Sequence, residues 1–207
     1  MSAGVLPSRV EISDTSDRPR AEPMLTSPQL DTDELLLEWE YGHPVEVPMS
    51  ILSGVISNEL NHHLTLHVRA HRLGWVTHEA LIVLDRERRL ARRPDVAFVS
   101  HQRWPLDRPL PAVDDWAVVP DLVVEVLSPT EPMEKVLEKV KEYFHYGVRL
   151  VWVIAPRLRL AYVYSSPLSV LVRTEADALE GGEVLPDFRL PLREIFAAVP
   201  TETATAR

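Results

Sequence analysis

The chain has 207 residues, of which 45% are hydrophobic and 26% charged, a size and composition that fit one globular domain with a buried core. Its net charge of −9 argues against a broad basic surface but leaves room for a local cationic cleft, and the absence of cysteine excludes disulfides, thiolate metal sites and cysteine nucleophiles. Since no apolar run reaches about 18 residues and the N-terminus lacks the pattern of a signal peptide, we expect a cytoplasmic protein without a membrane segment.

The two ends of the chain differ from its middle. Residues 1–30 are rich in Ser, Pro, Asp and Arg and show no apolar period, which predicts a mobile N-terminal arm. Residues 201–207 are predicted to form a short C-terminal tail. We therefore expect a single domain over residues 31–200.

The domain begins with two predicted helices. Asp31 or Thr32 is a suitable N-cap for a short helix through residues 34–38. Residues 50–71 predict a longer helix, because apolar residues recur at helical spacing and Gly74 follows as a stop signal. The recurring residues are Ile51, Val55, Leu60, Leu64 and Val68.

The middle of the chain predicts three strands followed by a helix. Runs rich in β-branched and aromatic residues lie at 75–84, 94–100 and 118–127, and turn residues separate them. The segment 101–117 is predicted to be a loop. Residues 132–146 then carry the apolar stripe of an amphipathic helix.

The last third predicts a return to the sheet. A strand is expected at 148–154, a hairpin at 159–164 and 169–173, and a closing strand with a short helix at 184–196. The order of helix, strands, helix and strand predicts a mixed α/β domain.

Two acidic residues lie on these predicted strands. Glu125 shares a strand face with Asp121 and stands among apolar neighbours, where an unpaired carboxylate is costly. Asp95 begins the strand of the run Arg-Arg-Pro-Asp-Val-Ala-Phe-Val. If the two strands pair, Asp95 and Glu125 converge, and a divalent cation would relieve their repulsion. Oxygen-only ligands suit Mg²⁺ or Mn²⁺.

The chain's only lysines all lie on the helix that follows: Lys135, Lys139 and Lys141. Lys139 lies at the edge of the apolar stripe, where an ammonium can reach a site beside the sheet while its stem stays packed. We predict that Lys139 orients water or stabilises a charged transition state. The alternative is that the strand carboxylates pair with arginines and that the helix presents an ordinary solvated face.

These segments together resemble the Uma-type family of restriction endonucleases, part of the PD-(D/E)xK nuclease superfamily. The resemblance rests on Arg-Pro-Asp-Val-Ala-Phe-Val, on Pro-Asp-Leu-Val-Val-Glu-Val-Leu-Ser-Pro and on the following lysine helix and strand. It covers roughly residues 34–196 and is strongest over 92–156. It implies an α/β fold with a mixed sheet and a restriction-endonuclease-like core of αβββαβ type.

The resemblance also implies an activity and a site. It implies a Mg²⁺- or Mn²⁺-dependent DNA endonuclease that hydrolyses phosphodiester bonds and works as a homodimer. Asp95, Glu125 and the main-chain carbonyl of Val126 would bind the metal, with Lys139 as the catalytic lysine. The superfamily places that lysine two residues after the glutamate, where this chain has Leu127.

A further glutamate is expected from an N-terminal helix, and Glu38, four residues before Gly42, fits it loosely. Three positions depart from the family pattern. Lys135 replaces an acidic residue, Ser53 a histidine and Ala155 an aspartate. The alternative function is therefore a catalytically inactive nuclease fold that serves as a binding or regulatory module.

Arginines cluster around the predicted turn before Asp95. The candidates for contacts with DNA phosphates are Arg88, Arg89, Arg92 and Arg93. A solvated hairpin tip is the alternative.

One pair of tryptophans and one pair of histidines each allow a functional and a structural interpretation. Trp104 and Trp116 either stack on bases or bury a loop against the core. His63 and His67 have the spacing of zinc ligands on a helix but lack an acidic general base between them, which favours a polar helix face.

Overall fold

The computed structural model describes Met1 and residues 36–47, 50–113 and 115–199. Apart from Met1, the predicted N-terminal arm (1–30) lies outside these residues, as does the C-terminal tail (201–207).

The described chain begins with a β-hairpin formed by β1 (Leu37–Glu40) and β2 (His43–Glu46). Tyr41 and Gly42 close it as a two-residue turn with positive φ angles of 48° and 90°, the combination that suits the twist of a hairpin. The short helix predicted over 34–38 is therefore wrong at its described end, because Leu37 and Glu38 pair with β2.

The long predicted helix is confirmed as α1 (Ile51–Ala70). A capping box at Ser50 and Ser53 begins it, each hydroxyl accepting from the other residue's main-chain N–H. Its buried face includes Ile56, Leu60, Leu64 and Val68, whereas Ile51 is 90% exposed. The apolar stripe thus starts one turn later than the spacing predicted.

The strands of the middle region are shorter and more numerous than predicted. They are β3 (Gly74–His78), β4 (Leu81–Asp85), β5 (Leu90–Arg92), β6 (Val96–Ser100), β7 (Asp115–Trp116) and β8 (Leu122–Val126). The predicted strand 75–84 is broken at Glu79, whose positive φ of 52° turns the chain, so that β3 and β4 join different sheets. The predicted loop 101–117 contains the short strand β7.

The remaining elements follow the prediction closely. They are α2 (Met133–His145), β9 (Leu150–Ala155), a 3₁₀ turn (Pro156–Leu158), β10 (Leu160–Ser166), β11 (Ser169–Thr174), β12 (Ala178–Glu180), β13 (Arg189–Pro191) and α3 (Leu192–Ala197). The hairpin of β10 and β11 is confirmed. Strand β12, which pairs with β13, was not predicted.

The main sheet has the order β11-β10-β9-β8-β6-β3. Strands β8 and β9 are parallel and α2 connects them, while β3, β6 and β8 pair antiparallel. The succession α1, β3, β6, β8, α2, β9 is the predicted αβββαβ core, and the mixed α/β fold is confirmed. A second sheet, β2-β1-β5-β4-β7, contributes β1 and β5 to the region described next.

Both faces of the main sheet are covered. One apolar cluster packs α1 and α3 against it and includes Trp152, while the other packs α2 against it and includes Tyr143. Trp104 and Trp116 are buried edge to face in the second cluster, which supports the loop-burying interpretation of this pair. No helix within the described ranges is long and apolar enough to cross a membrane.

Candidate active site

Strand pairing brings Asp95 and Glu125 together. Val96 lies opposite Val124 in the antiparallel pair of β6 and β8, so Asp95, just before β6, adjoins the end of β8. The Asp95 Oδ2 atom accepts a hydrogen bond of 2.6 Å from the main-chain N–H of Val126. The main chain of Val126 is therefore next to the Asp95 carboxylate, while the metal-binding role predicted for the Val126 carbonyl stays a prediction.

Glu125 points from β8 toward helix α2. Its side chain is buried, and the Tyr143 hydroxyl donates to its Oε1 atom over 2.5 Å. The Lys139 Nζ atom lies 3.8 Å from its Oε2 atom. Lys139 and Tyr143 are one helical turn apart, so the same face of α2 presents both groups to the glutamate.

Lys139 is more deeply placed than a stripe-edge position predicts, with 6% of the residue exposed. Its Nζ atom lies 3.3 Å from Glu38 Oε2 and 3.4 Å from Glu131 Oε1, in addition to Glu125. Three carboxylates from three separate segments thus surround one ammonium.

Glu38 reaches this cluster from strand β1 of the second sheet, not from the predicted helix. Its Oε1 atom accepts from the main-chain N–H of Arg93 at 2.9 Å, and its Oε2 atom lies 3.3 Å from the guanidinium of Arg92. Both carboxylate oxygens are already bound by protein groups, because Lys139 also approaches Oε2.

Arg92 is buried, with a side chain only 3% exposed. Its guanidinium binds Glu40 at 2.7 Å and Glu142 at 2.6 Å besides Glu38, and so ties β1, β5 and α2 together. This placement argues against the predicted contact of Arg92 with DNA, because a guanidinium enclosed by three carboxylates does not reach a phosphate at the surface. We do not include it among the proposed DNA contacts.

The other three arginines of the predicted contact lie differently. Arg93 is half-buried and donates its guanidinium to the carbonyls of Leu37 and Glu79. Arg88 and Arg89 are exposed at the turn between β4 and β5, where Arg88 pairs loosely with Asp85 at 3.7 Å.

Burial dominates the protonation of the site. It raises the pKa of Asp95, which the Val126 N–H and Lys139 only partly offset, and it raises the pKa of Glu125, which Lys139 only partly offsets. Burial alone would lower the pKa of Lys139, but the carboxylates of Glu125, Glu38 and Glu131 raise it above its ordinary value. The lysine is therefore a cation, and the two strand carboxylates lack full compensation by positive charge.

The donor set fits a hard divalent cation. Asp95, Glu125 and Glu38 supply only oxygen. Burial is the main cause of the raised pKa values of Asp95 and Glu125, with neighbouring carboxylates adding to it, and a divalent ion would favour the charged forms of both carboxylates. Within the described residues, no group of three or more acidic or histidine side chains lies close enough together to hold a metal ion by itself.

A cleft of about 410 Å³ opens beside the cluster. Four glutamates and two lysines are among the residues of its wall: Glu38, Glu40, Glu46, Glu131, Lys135 and Lys139. Glu38 and Lys139 belong to both the wall and the buried cluster, and therefore connect the cluster to the cleft.

Sequence reasoning missed several members of the site. Tyr143 lies in the predicted helix 132–146 and was not singled out, yet its hydroxyl donates a hydrogen bond to Glu125; its one-turn spacing from Lys139 was the available signal. Glu131 lies between Pro129 and Pro132, just before α2, in a segment without a periodic pattern that would indicate its role. Glu40 and Glu142 could be found only through Arg92, which joins segments far apart in sequence.

Two of the three departures from the family pattern have ordinary structural roles. Ser53 completes the cap of α1, and Ala155 ends β9 buried opposite Leu160. Lys135 is exposed in the first turn of α2, on the cleft wall.

Comparisons with known proteins identify a family and a fold. A family model described as "Uma2: Putative restriction endonuclease" matches residues 22–193. A solved structure described as "a putative nuclease belonging to DUF820", from Anabaena variabilis ATCC 29413, superposes with a TM-score of 0.69 at 20% identity, over 78% of this chain and 90% of that one. The structural likeness supports the fold. A search of curated proteins finds no match.

Proposed function

The chain belongs to the Uma2 family, and we propose that it is a Mg²⁺- or Mn²⁺-dependent endonuclease that hydrolyses phosphodiester bonds in DNA. One observation carries the proposal. The amine of a buried lysine lies beside a buried glutamate, and the strand carrying that glutamate adjoins a second carboxylate at Asp95. An acidic pair with one amine at the end of a sheet is the arrangement that a metal-assisted hydrolase needs.

The proposed metal ligands are Asp95, Glu125 and the main-chain carbonyl of Val126, with Glu38 as a further carboxylate nearby. A bound divalent ion would activate water and stabilise negative charge on the phosphate. Tyr143 fixes the orientation of Glu125 by donating to one of its oxygens, which leaves the other oxygen on the side of Lys139.

Lys139 acts as a hydrogen-bond donor in this proposal. Its raised pKa keeps the ammonium charged, so it does not accept a proton from water. An ammonium has three N–H donors and no acceptor, and it can orient a water or stabilise charge on a phosphate oxygen. Glu38 and Glu131 hold its position by ion pairs.

DNA as the substrate rests on the family description and on the exposed arginines. Arg88 and Arg89 are the remaining candidates for contacts with the phosphate backbone, because their guanidinium groups are accessible at the turn between β4 and β5. We further propose a homodimer, since one site cuts one strand, and action on cellular DNA in the cytoplasm.

Plasmid nicking tests the proposal directly. Wild-type protein in Mg²⁺ or Mn²⁺ is expected to convert supercoiled DNA to the open circle. Glu125→Gln and Lys139→Met are expected to lower the rate on the order of 10²- to 10³-fold, because each removes a group that acts on the reacting phosphate or water.

Matched controls come from the residue just before strand β8 and from helix α2. Asp121→Asn and Lys141→Met are expected to retain nicking, because neither residue belongs to the cluster. Undiminished nicking by folded Lys139→Met would contradict the proposed role of the lysine. A folded wild type that cuts no DNA would instead favour the inactive binding or regulatory module.

A further inference from the structure

Lys135 is a second amine on the wall of the cleft. It lies in the first exposed turn of α2, four residues before Lys139, so the two lysines share one face of the helix. The two differ in environment, because Lys139 is buried whereas Lys135 is exposed at the cleft.

The charge of Lys139 is already committed to protein carboxylates. Its Nζ atom lies within 3.8 Å of Glu38, Glu125 and Glu131, which together outweigh one positive charge. Over the ranges that the structure describes, Lys135 has no carboxylate partner within 4.0 Å. Its ammonium is therefore available to a ligand that enters the cleft.

The positive charge of Lys135 also acts on a neighbouring residue of the cleft wall, Glu40. Burial acts to raise the pKa of Glu40, but the hydrogen bond and charge of Arg92, and then the charges of Lys135 and Lys139, lower it overall. The wall also carries Glu46 and Glu131, so an anionic ligand would meet repulsion in most of the cleft. Away from the proposed metal site, the exposed ammonium of Lys135 is therefore where this wall favours a phosphate.

We propose that Lys135 binds a backbone phosphate that neighbours the scissile one in the substrate strand. This inference rests on the proposed nuclease function and adds a subsite to it. Side chains one helical turn apart are about 5–6 Å from each other, and one DNA strand carries a phosphate for about every 3.4 Å of rise. A strand whose reacting phosphate lies at Lys139 thus places a phosphate one or two nucleotides away at Lys135.

Lys141 provides a matched control on the same helix. It is exposed like Lys135, and it does not line the cleft. Six residues of helix rotate it about 120° away from Lys135. Replacing either lysine removes one charge from an exposed position, so a difference between the two variants reports on the cleft.

The experiment is steady-state nicking of plasmid DNA by wild type, Lys135→Gln, Lys135→Arg and Lys141→Gln at several salt concentrations. Lys135→Gln is expected to raise KM about three- to tenfold with kcat unchanged, and to reduce the slope of log KM against log salt by about 0.9, the value for one lost phosphate contact. Lys135→Arg keeps the charge and is expected to restore KM. Lys141→Gln is expected to match wild type.

Two results would overturn the subsite while leaving the nuclease proposal intact. Equal KM values for Lys135→Gln and Lys141→Gln would mean that the cleft position carries no special contact. A fall in kcat at unchanged KM would assign Lys135 to the chemical step. If wild type itself nicks no DNA, the proposed function fails and the subsite fails with it.

Discussion

Asp121 immediately precedes strand β8, Glu125 lies near the other end of that strand, and both are almost completely buried. Asp121 accepts a hydrogen bond from the Ser100 main chain at 2.9 Å and pairs with Arg103 at 3.0 Å and Arg149 at 3.7 Å. Glu125 has one hydroxyl and a lysine that it shares with two other carboxylates.

The difference separates a carboxylate with full positive compensation from the one that we propose as a metal ligand. The partners of Asp121 bring two positive charges to one negative charge, and their guanidinium groups come from segments that Asp121 holds together. The cluster around Glu125 has more carboxylates than cations, a cost that a folded protein accepts where charge is needed for binding or chemistry. Burial alone would not have distinguished the two residues.

The largest expected effect on stability is a difference between two arginines: Arg92, which pairs with Glu38 in the cluster, and Arg103, which pairs with Asp121. Arg92→Met leaves Glu38, Glu40 and Glu142 without their shared cation, and removing one partner of a buried pair costs about 3–5 kcal/mol of unfolding free energy. Arg103→Met is expected to cost about 1–2 kcal/mol, because Arg103 is 26% exposed and Arg149 remains near Asp121.

Urea unfolding of both variants measures this comparison. Equal losses for Arg92→Met and Arg103→Met would contradict the view that the first arginine balances the crowded carboxylates.

A smaller effect on the free energy of unfolding is expected from a change of pH in the metal-free protein. Because the pKa of Glu125 is raised in the folded state, folding is favoured by the proton that Glu125 retains, and this contribution is lost as pH rises through the folded pKa. Between pH 5 and pH 8, wild type is expected to lose about 1–3 kcal/mol more stability than Glu125→Gln, at about 1.4 kcal/mol for each unit of pKa shift.

The measurement is chemical denaturation in a chelator across that pH range, with wild type and Glu125→Gln compared at each pH. Parallel curves for wild type and Glu125→Gln would show that Glu125 does not carry a raised pKa.

The core of the site could be predicted because its signals are local. Asp95 and Glu125 each stand in a short strand motif, and their convergence required only that these two strands pair, as β6 and β8 do. Lys139 follows from its place on the next helix. Each of these inferences needed only neighbouring elements.

The surroundings of the site could not be predicted, because they depend on contacts between distant segments. Glu38 meets Arg92 across 54 positions of sequence, and no periodic pattern in either segment announces that pair. The helix predicted at 34–38 hid the strand that delivers Glu38. Because the pairing of Arg92 with Glu38 was not foreseen, the arginine cluster was interpreted as one exposed surface. In the structure, Arg92 is buried and Arg88 is exposed.

The most direct test of the account is the thermal stability of the protein while Mn²⁺ is titrated. A ligand that binds the folded state adds about 2.7 kcal/mol at one hundred times its Kd, so the melting temperature of wild type and of Asp121→Asn is expected to rise with Mn²⁺. Asp95→Asn is expected to show no rise, because it lacks one of the two strand carboxylates. A rise in Asp95→Asn equal to that of wild type would contradict a metal site between Asp95 and Glu125.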